Sequence, residues 1–204
     1  MAFGLIGVFG AAIALGVLYL LFTRKLSLPQ AFWYLPLKLI YRIDDKSLRD
    51  LETAQGPVIY VISHQARFDA ALMMALLPAS TLHILDPRAA SNAVVNFFRP
   101  LARSTVFAPD QILKNRRVFS QLVMGAKIAV YMPHPVEPDA KTFRLYRAVA
   151  RMATAANAKI VAIHAGNTRF LPSSYHPKDE MPRSWLPRLK VSARTPETIE
   201  GILE

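Results

Sequence analysis

The 204-residue chain has no cysteine, which excludes disulfides, thiolate nucleophiles and thiolate metal sites. That absence fits a reducing compartment. Acidic residues are scarce: 14 Asp and Glu stand against 25 Lys and Arg, a formal charge of +11. The imbalance favours anionic partners such as phospholipid headgroups, nucleic acid or an acidic carrier protein. Hydrophobic residues make up 52% of the chain, high for a soluble nucleic-acid binder, and this tilts the reading toward a membrane surface without nucleic acid. There is no internal repeat and no low-complexity tract.

Charge is missing altogether from Ala2 to Phe22, a length that would span hydrocarbon as a helix. Thr23-Arg24-Lys25 closes the stretch. A secretory signal carries its positive charge before the apolar run, so the reversed order implies an uncleaved membrane anchor over residues 1–25. The positive-inside rule then places the rest of the chain in the cytoplasm. Residues 26–45 mix aromatics with bases: Phe32, Trp33, Tyr34, Lys38, Tyr41 and Arg42, interrupted by Pro29 and Pro36. This suits an interfacial amphipathic segment at headgroup level, or a helix that packs on the soluble domain.

From residue 46 to 204 strand-like and helix-like segments alternate. Strands are expected at 58–63, 81–85, 105–107, 127–132, 159–164 and 189–193. Helices are expected at 70–77, 87–98, 111–124 (capped by Asp110 and closed by Gly125) and from Pro138-Asp139 to Asn157. The fold class is therefore α/β, a largely parallel sheet flanked by helices. Residues 171–187 read as a loop. The ending "TPETIEGILE" suggests one piece of a longer multidomain protein.

The chemistry concentrates in "SHQARFD", residues 63–69, where the first strand meets the first helix. Residues five apart on a helix point about 140° apart, so His64 and Asp69 meet only if a loop separates strand from helix. A carboxylate bonded to one imidazole nitrogen fixes the tautomer and supports the imidazolium. Ser63 is no nucleophile for this base, because neighbours on a strand face opposite ways. The arrangement suits His64 as a general base for a substrate hydroxyl, oriented by Asp69.

These residues resemble the His-x4-Asp motif of the glycerolipid (lysophosphatidic acid type) acyltransferases. "STVFAPD" followed by a basic helix is similar to that family's second block. "GAKIAVYMPHPVEPD" stands at the third and "AKIVAIHAGNT" at the fourth. Spacing and order match over roughly residues 40–195. The chain looks closest to the acyltransferase part of bacterial acyl-ACP synthetase/lysophospholipid acyltransferases. It departs in the third block, where His134 and Pro135 replace the usual Glu and Gly of Phe-Pro-Glu-Gly. The resemblance implies transfer of a fatty acyl group from acyl-ACP or acyl-CoA to a lysophospholipid hydroxyl, without a cofactor. It implies His64 and Asp69 as catalytic residues, with Pro133 and His134 on the acceptor side. It also implies a bacterial inner membrane, with the catalytic domain on the cytoplasmic side.

Arg67 and Arg103, beside the first and second blocks, are candidates for the acceptor phosphate, since the guanidinium fork donates two bonds. Lys114, Arg116 and Arg117, and the stripe of Arg144, Arg147 and Arg151, are either solvated faces or docking sites for anionic lipid or acyl carrier protein. His64, His134 and His164 all end strands, and three histidines on one sheet edge could hold zinc. Asp69 suits a base better and no fourth ligand stands out, so no metal is expected. The alternatives to a lysophospholipid acyltransferase are a lipid- or carrier-binding protein that has lost catalysis, and an acyltransferase for a non-glycerol lyso-lipid.

Overall fold

The computed structural model describes residues 2–51, 54–107, 111, 115–133 and 140–199; the side chains of residues 2–10, 12, 50, 133 and 141 are outside that description. Its centre is a six-stranded sheet formed by β1 (Val58–His64), β2 (Leu82–Leu85), β3 (Arg103–Val106), β4 (Lys127–Pro133), β5 (Lys159–Gly166) and β6 (Lys190–Ala193). The strand order is β3-β2-β4-β1-β5-β6. All neighbours run parallel except β5 and β6. The α/β expectation holds, and the strongest β-branched run of the chain lies at the middle of the sheet. Near-continuous apolar runs are what a strand buried on both faces requires.

Helices α1 (Ala2–Arg24), α2 (Leu28–Tyr41), α3 (Asp69–Leu76), α4 (Pro87–Ala90) and α5 (Ala93–Phe98) precede the third strand. Helices α6 (Arg116–Val123) and α7 (Ala140–Ala155) follow it. One face of the sheet, with Tyr60, Ile62, Tyr131 and Ile163, packs against α2, α3 and α5. The other, with Ile59, Val130 and Met132, packs against α6 and α7. Alternation along each strand thus decides which layer a side chain enters.

Every residue of α3 is buried. An eight-residue apolar helix has no polar face to offer water, so it lies between the sheet and α2. It stops at Leu77 (ψ 154°), because Pro78 forces the preceding residue out of the helical region. The Gln30 side-chain amide caps its end, donating to the carbonyls of Met74 at 2.6 Å and Leu77 at 3.0 Å. Gln30 also closes a capping box with Ser27 at the start of α2.

Several expectations shift. Pro29 sits in the first turn of α2, where its missing N–H costs nothing, and Pro36 lies inside that helix rather than breaking it. The expected 87–98 helix is two short helices, because the Asn92 side chain accepts from Val94 and Val95 and starts a new one. Helix α6 is capped by Asn115 instead of Asp110, which lies outside the described residues. Gly125 does close it, at φ +89°.

The N-terminal membrane helix finds no support among the described residues. Among the described residues, no helix is long and apolar enough to cross a membrane. The last turns of α1 lean on the domain instead. Leu20 is buried, and a Cβ placed on Gly16 would sit 3.6 Å from Leu35. Arg24, expected to close the anchor, is buried and bonded to Asp45 at 2.9 Å. The segment at 26–45 packs on the domain through one face of α2. Ala31, Tyr34 and Leu37 face the core, while Leu28, Phe32, Leu39 and Ile40 are exposed.

Candidate active site

Strand β1 delivers His64 to the carboxyl end of the sheet, level with Pro133 of β4. Alternation aims it with Tyr60 and Ile62 into the layer under α3. There it is 8% exposed. The four residues after it form the loop that the sequence requires. Asp69, the first residue of α3, is completely buried and reaches back to close that loop. Its Oδ2 accepts from the Gln65 amide at 2.6 Å and the Ala66 amide at 2.7 Å. Its own amide donates to the Ala66 carbonyl at 3.0 Å.

Asp69 therefore acts on the loop. Among the described residues no hydrogen bond joins its carboxylate to His64; the Thr168 hydroxyl, like the two amides, favours the anion. The direct contact expected from the sequence is replaced by one carried through the backbone of Gln65 and Ala66. A carboxylate oxygen that takes two amides holds the turn, and the turn holds the imidazole.

A second segment covers the loop from outside. The Arg67 amide donates to the Ser173 carbonyl and the Tyr175 amide to the Gln65 carbonyl, both at 3.0 Å. Ala66 and Ser174 form an antiparallel bridge. This strap brings the Tyr175 hydroxyl to 3.0 Å from His64 Nε2. Arg183 fastens the strap, donating to the carbonyls of Leu171 and His176.

Further inside, the Tyr131 ring meets His64 edge-on at 5.9 Å. Its hydroxyl lies 2.7 Å from Nδ1 of His83, which is fully buried. The Tyr131 hydroxyl is also 3.4 Å from the Ala70 carbonyl.

Burial sets the protonation states. It pushes the His64 imidazole down to about 4, opposed by the Ala66 backbone and the charge of Asp86. It pushes the Asp69 carboxyl up to about 6, against the amides that favour the anion. His83 falls to about 3 for the same reason. Near neutral pH the site thus holds a neutral imidazole and an anionic carboxylate, the forms that a general base and its support require.

The other candidates divide. Arg67 is exposed on the loop itself, and its charge lowers the Tyr175 hydroxyl's pKa against the raising effect of burial. Arg103 is not brought to the site. It is level with Leu82, Ile128 and Ile59, five residues below His64, which is roughly 16 Å along the strands. Three strand spacings also separate it from β1. Pro133 is beside His64, whereas His134 lies outside the described residues.

His164 pairs with Ser63 and so faces the opposite layer from His64. With Ser63, Ser192 and Arg194 it lines a cavity of about 440 Å³ on that side. Among the described residues no cluster of His, Asp and Glu could hold a metal ion. Arg116 and Arg117 are exposed on α6, and Arg144, Arg147 and Arg151 on α7, both in the layer away from His64. Lys114 lies outside the described residues.

Tyr175, Tyr131, His83 and Asp86 were missed from the sequence. Asp86 follows strand β2 directly, so the strand-end rule that found His64 could have found it. Nothing local marks Tyr175, which comes from a loop with no periodicity.

No family model matches the chain, and no curated protein matches it. In structure the chain is similar to the crystal structure of the 1-acyl-sn-glycerophosphate (LPA) acyltransferase PlsC from Thermotoga maritima. The identity is 12%, over 95% of this chain and 88% of that chain, with a TM-score of 0.49. A likeness this loose is too weak to transfer an activity.

Proposed function

We propose that the chain is an acyltransferase that moves a fatty acyl group from a thioester donor, acyl-ACP or acyl-CoA, to the hydroxyl of a lysophospholipid. The observation that carries this reading is a hydroxyl at 3.0 Å from Nε2 of a neutral, buried imidazole at the carboxyl end of the central strand. That is the geometry a general base needs toward the proton it removes. The resemblance of the four sequence blocks supports the choice of reaction.

In the proposed reaction the acceptor O–H gives its proton to His64 Nε2 while the oxygen attacks the thioester carbonyl. The tetrahedral intermediate collapses, the C–S bond breaks, and the leaving thiolate takes the proton back from the imidazolium. Asp69 fixes the loop and places negative charge near the transient imidazolium. Arg67 is exposed beside the base and is proposed to meet the acceptor's phosphate.

Attachment to a membrane surface belongs to the same proposal, with the site on the cytoplasmic side of the inner membrane. Trp33 of α2 stacks edge-on with Phe97 and Phe98 of α5, at 5.2 Å and 5.8 Å. Around that cluster Leu28, Phe32, Val94 and Phe97 are exposed. An apolar patch on a chain of charge +11 suits anionic lipid.

The test is a panel of lysophospholipids offered to the purified chain with both thioester donors. Turnover in the wild type and a loss of roughly 10² to 10⁴ in His64→Ala are expected. Equal turnover in the variant overturns the mechanism. A second reading, a lipid- or carrier-binding protein without catalysis, is favoured by one observation: Asp69 bonds amides rather than His64. Tight lysophospholipid binding without turnover selects it.

A further inference from the structure

We propose that Tyr175 is a displaceable cover on His64 Nε2, holding the position into which the acceptor's hydroxyl has to come. The inference rests on His64 being the base and says how that base is kept between turnovers.

Nε2 of a neutral imidazole has one lone pair, in the ring plane, when Nδ1 carries the proton. With the proton on Nδ1, the Tyr175 hydroxyl, 3.0 Å away, donates to that lone pair. The two rings sit 5.0 Å apart, tilted by 56°, so the phenol also occupies the volume in front of the nitrogen. A substrate hydroxyl needs a position within about 3.2 Å of the same nitrogen. The two hydroxyls cannot both be there.

The strap makes the displacement local. Its main chain is tied at Ser173, Ser174 and Tyr175 to the 65–67 loop, and at Leu171 and His176 to Arg183. The Tyr175 side chain is nevertheless 49% exposed, on a stretch that is itself neither helix nor strand. A rotamer change carries the phenol outward and leaves every one of those backbone bonds intact. Such changes at exposed side chains take picoseconds to nanoseconds, far faster than turnover. The charged groups nearby are Arg67, Asp69 and Asp86, none of them hydrogen-bonded to the phenol among the described residues. Among the described residues one hydrogen bond and ring packing hold the cover down.

Two variants test this. Tyr175→Phe keeps the ring and deletes the bond; Tyr175→Ala removes both. Each is treated with diethyl pyrocarbonate, which acylates accessible neutral imidazoles, and His64 is followed by peptide mass spectrometry. His64 should be modified faster than in the wild type, by about fivefold in Tyr175→Phe, the weight of one neutral hydrogen bond, and by more in Tyr175→Ala. In the acyl transfer assay the KM for the lysophospholipid should fall about as much in Tyr175→Phe, with no matching fall for the thioester donor.

An unchanged modification rate in both variants overturns the cover. A collapse of kcat in Tyr175→Phe also overturns it, by making the phenol part of the proton path. If neither the wild type nor any variant transfers acyl groups but His64 is still unmasked in the tyrosine variants, the acyltransferase reading fails while the cover stands. If the wild type turns over, His64→Ala does not, and the tyrosine variants change nothing, the cover fails alone.

Discussion

The Arg24 guanidinium donates to the Asp45 carboxylate at 2.9 Å, with both side chains almost wholly out of solvent. Asp45 accepts in addition from the Tyr34 hydroxyl at 2.7 Å and the Lys38 ammonium at 3.0 Å. These partners hold its carboxyl below the usual carboxylate range despite the opposing effect of burial. One carboxylate so joins the end of α1, the middle of α2 and the first residues of the sheet domain. Asp45→Ala removes the buried carboxylate that Arg24, Tyr34 and Lys38 share and should cost about 3 to 5 kcal/mol in urea unfolding. A loss under about 1 kcal/mol would mean that water reaches Arg24 and that α1 is not anchored there.

Asp69 offers a way to separate charge from loop geometry. The carboxamide introduced by Asp69→Asn keeps an oxygen to accept from the Gln65 and Ala66 amides, whereas the methyl of Asp69→Ala offers none. If the chief task of Asp69 is to hold the loop, Asp69→Asn should retain turnover within about tenfold. Asp69→Ala should lose on the order of 10² and melt at a lower temperature. Equal losses in the two variants, with the melting temperature of Asp69→Asn preserved, would show that the charge itself is required.

Acid should destabilise the protein before most carboxylates titrate. His64 and His83 have pKa values of about 4 and about 3 in the fold and an ordinary value of 6.5 when released. Below about pH 6.5 the unfolded chain therefore binds two protons that the fold declines, and stability falls with pH. Asp69 opposes this. Its carboxyl is raised from 3.8 to about 6, so the fold takes up that proton first and gains stability as pH falls. Two histidines outweigh one carboxyl, for a net loss on the order of 2 kcal/mol between about pH 6.5 and 5. Melting curves across that range check the sign. A flat or rising melting temperature would show that the imidazoles are already wet.

The exposed aromatics should matter only at a lipid surface. Phe32→Ser and Phe97→Ser remove side chains that are 61% and 57% exposed, so folding stability should move by less than about 0.5 kcal/mol. Binding to vesicles of phosphatidylglycerol should weaken about tenfold for each, the effect of about 1.4 kcal/mol of apolar transfer. Unaltered vesicle binding in the double variant would place the lipid contact elsewhere.

The sheet was legible because its strands are β-branched runs bounded by Gly and Pro, signals that are local. His64 and Asp69 were legible because strand, loop and helix follow one another within a dozen residues. What the sequence concealed is the contact made across the chain. Arg103 was placed near the site by its nearness to the second block, yet β3 begins there and the site lies at the strands' other end. Arg24 read as a topological charge because nothing near it announces Asp45. His164 shares a strand-end position with His64, but a shift of one residue in register put it through the sheet. Tyr175 depends on a loop whose course is set by pairing with residues 65–67, and no pattern in the loop encodes that pairing.

The central position of β1 also bears on how the molecule is made. Val58 pairs with Lys127 on one side and Lys159 on the other, so both neighbours of the first strand leave the ribosome after it. Until then the most hydrophobic ribbon of the chain has two bare edges, the condition under which nascent chains stick to one another. Closure over long sequence separations is slow. The imidazole gains its last covering residue only when Tyr175 is synthesised and laid against Gln65. A nascent chain paused before that point would carry His64 uncovered, on a sheet still seeking its edges.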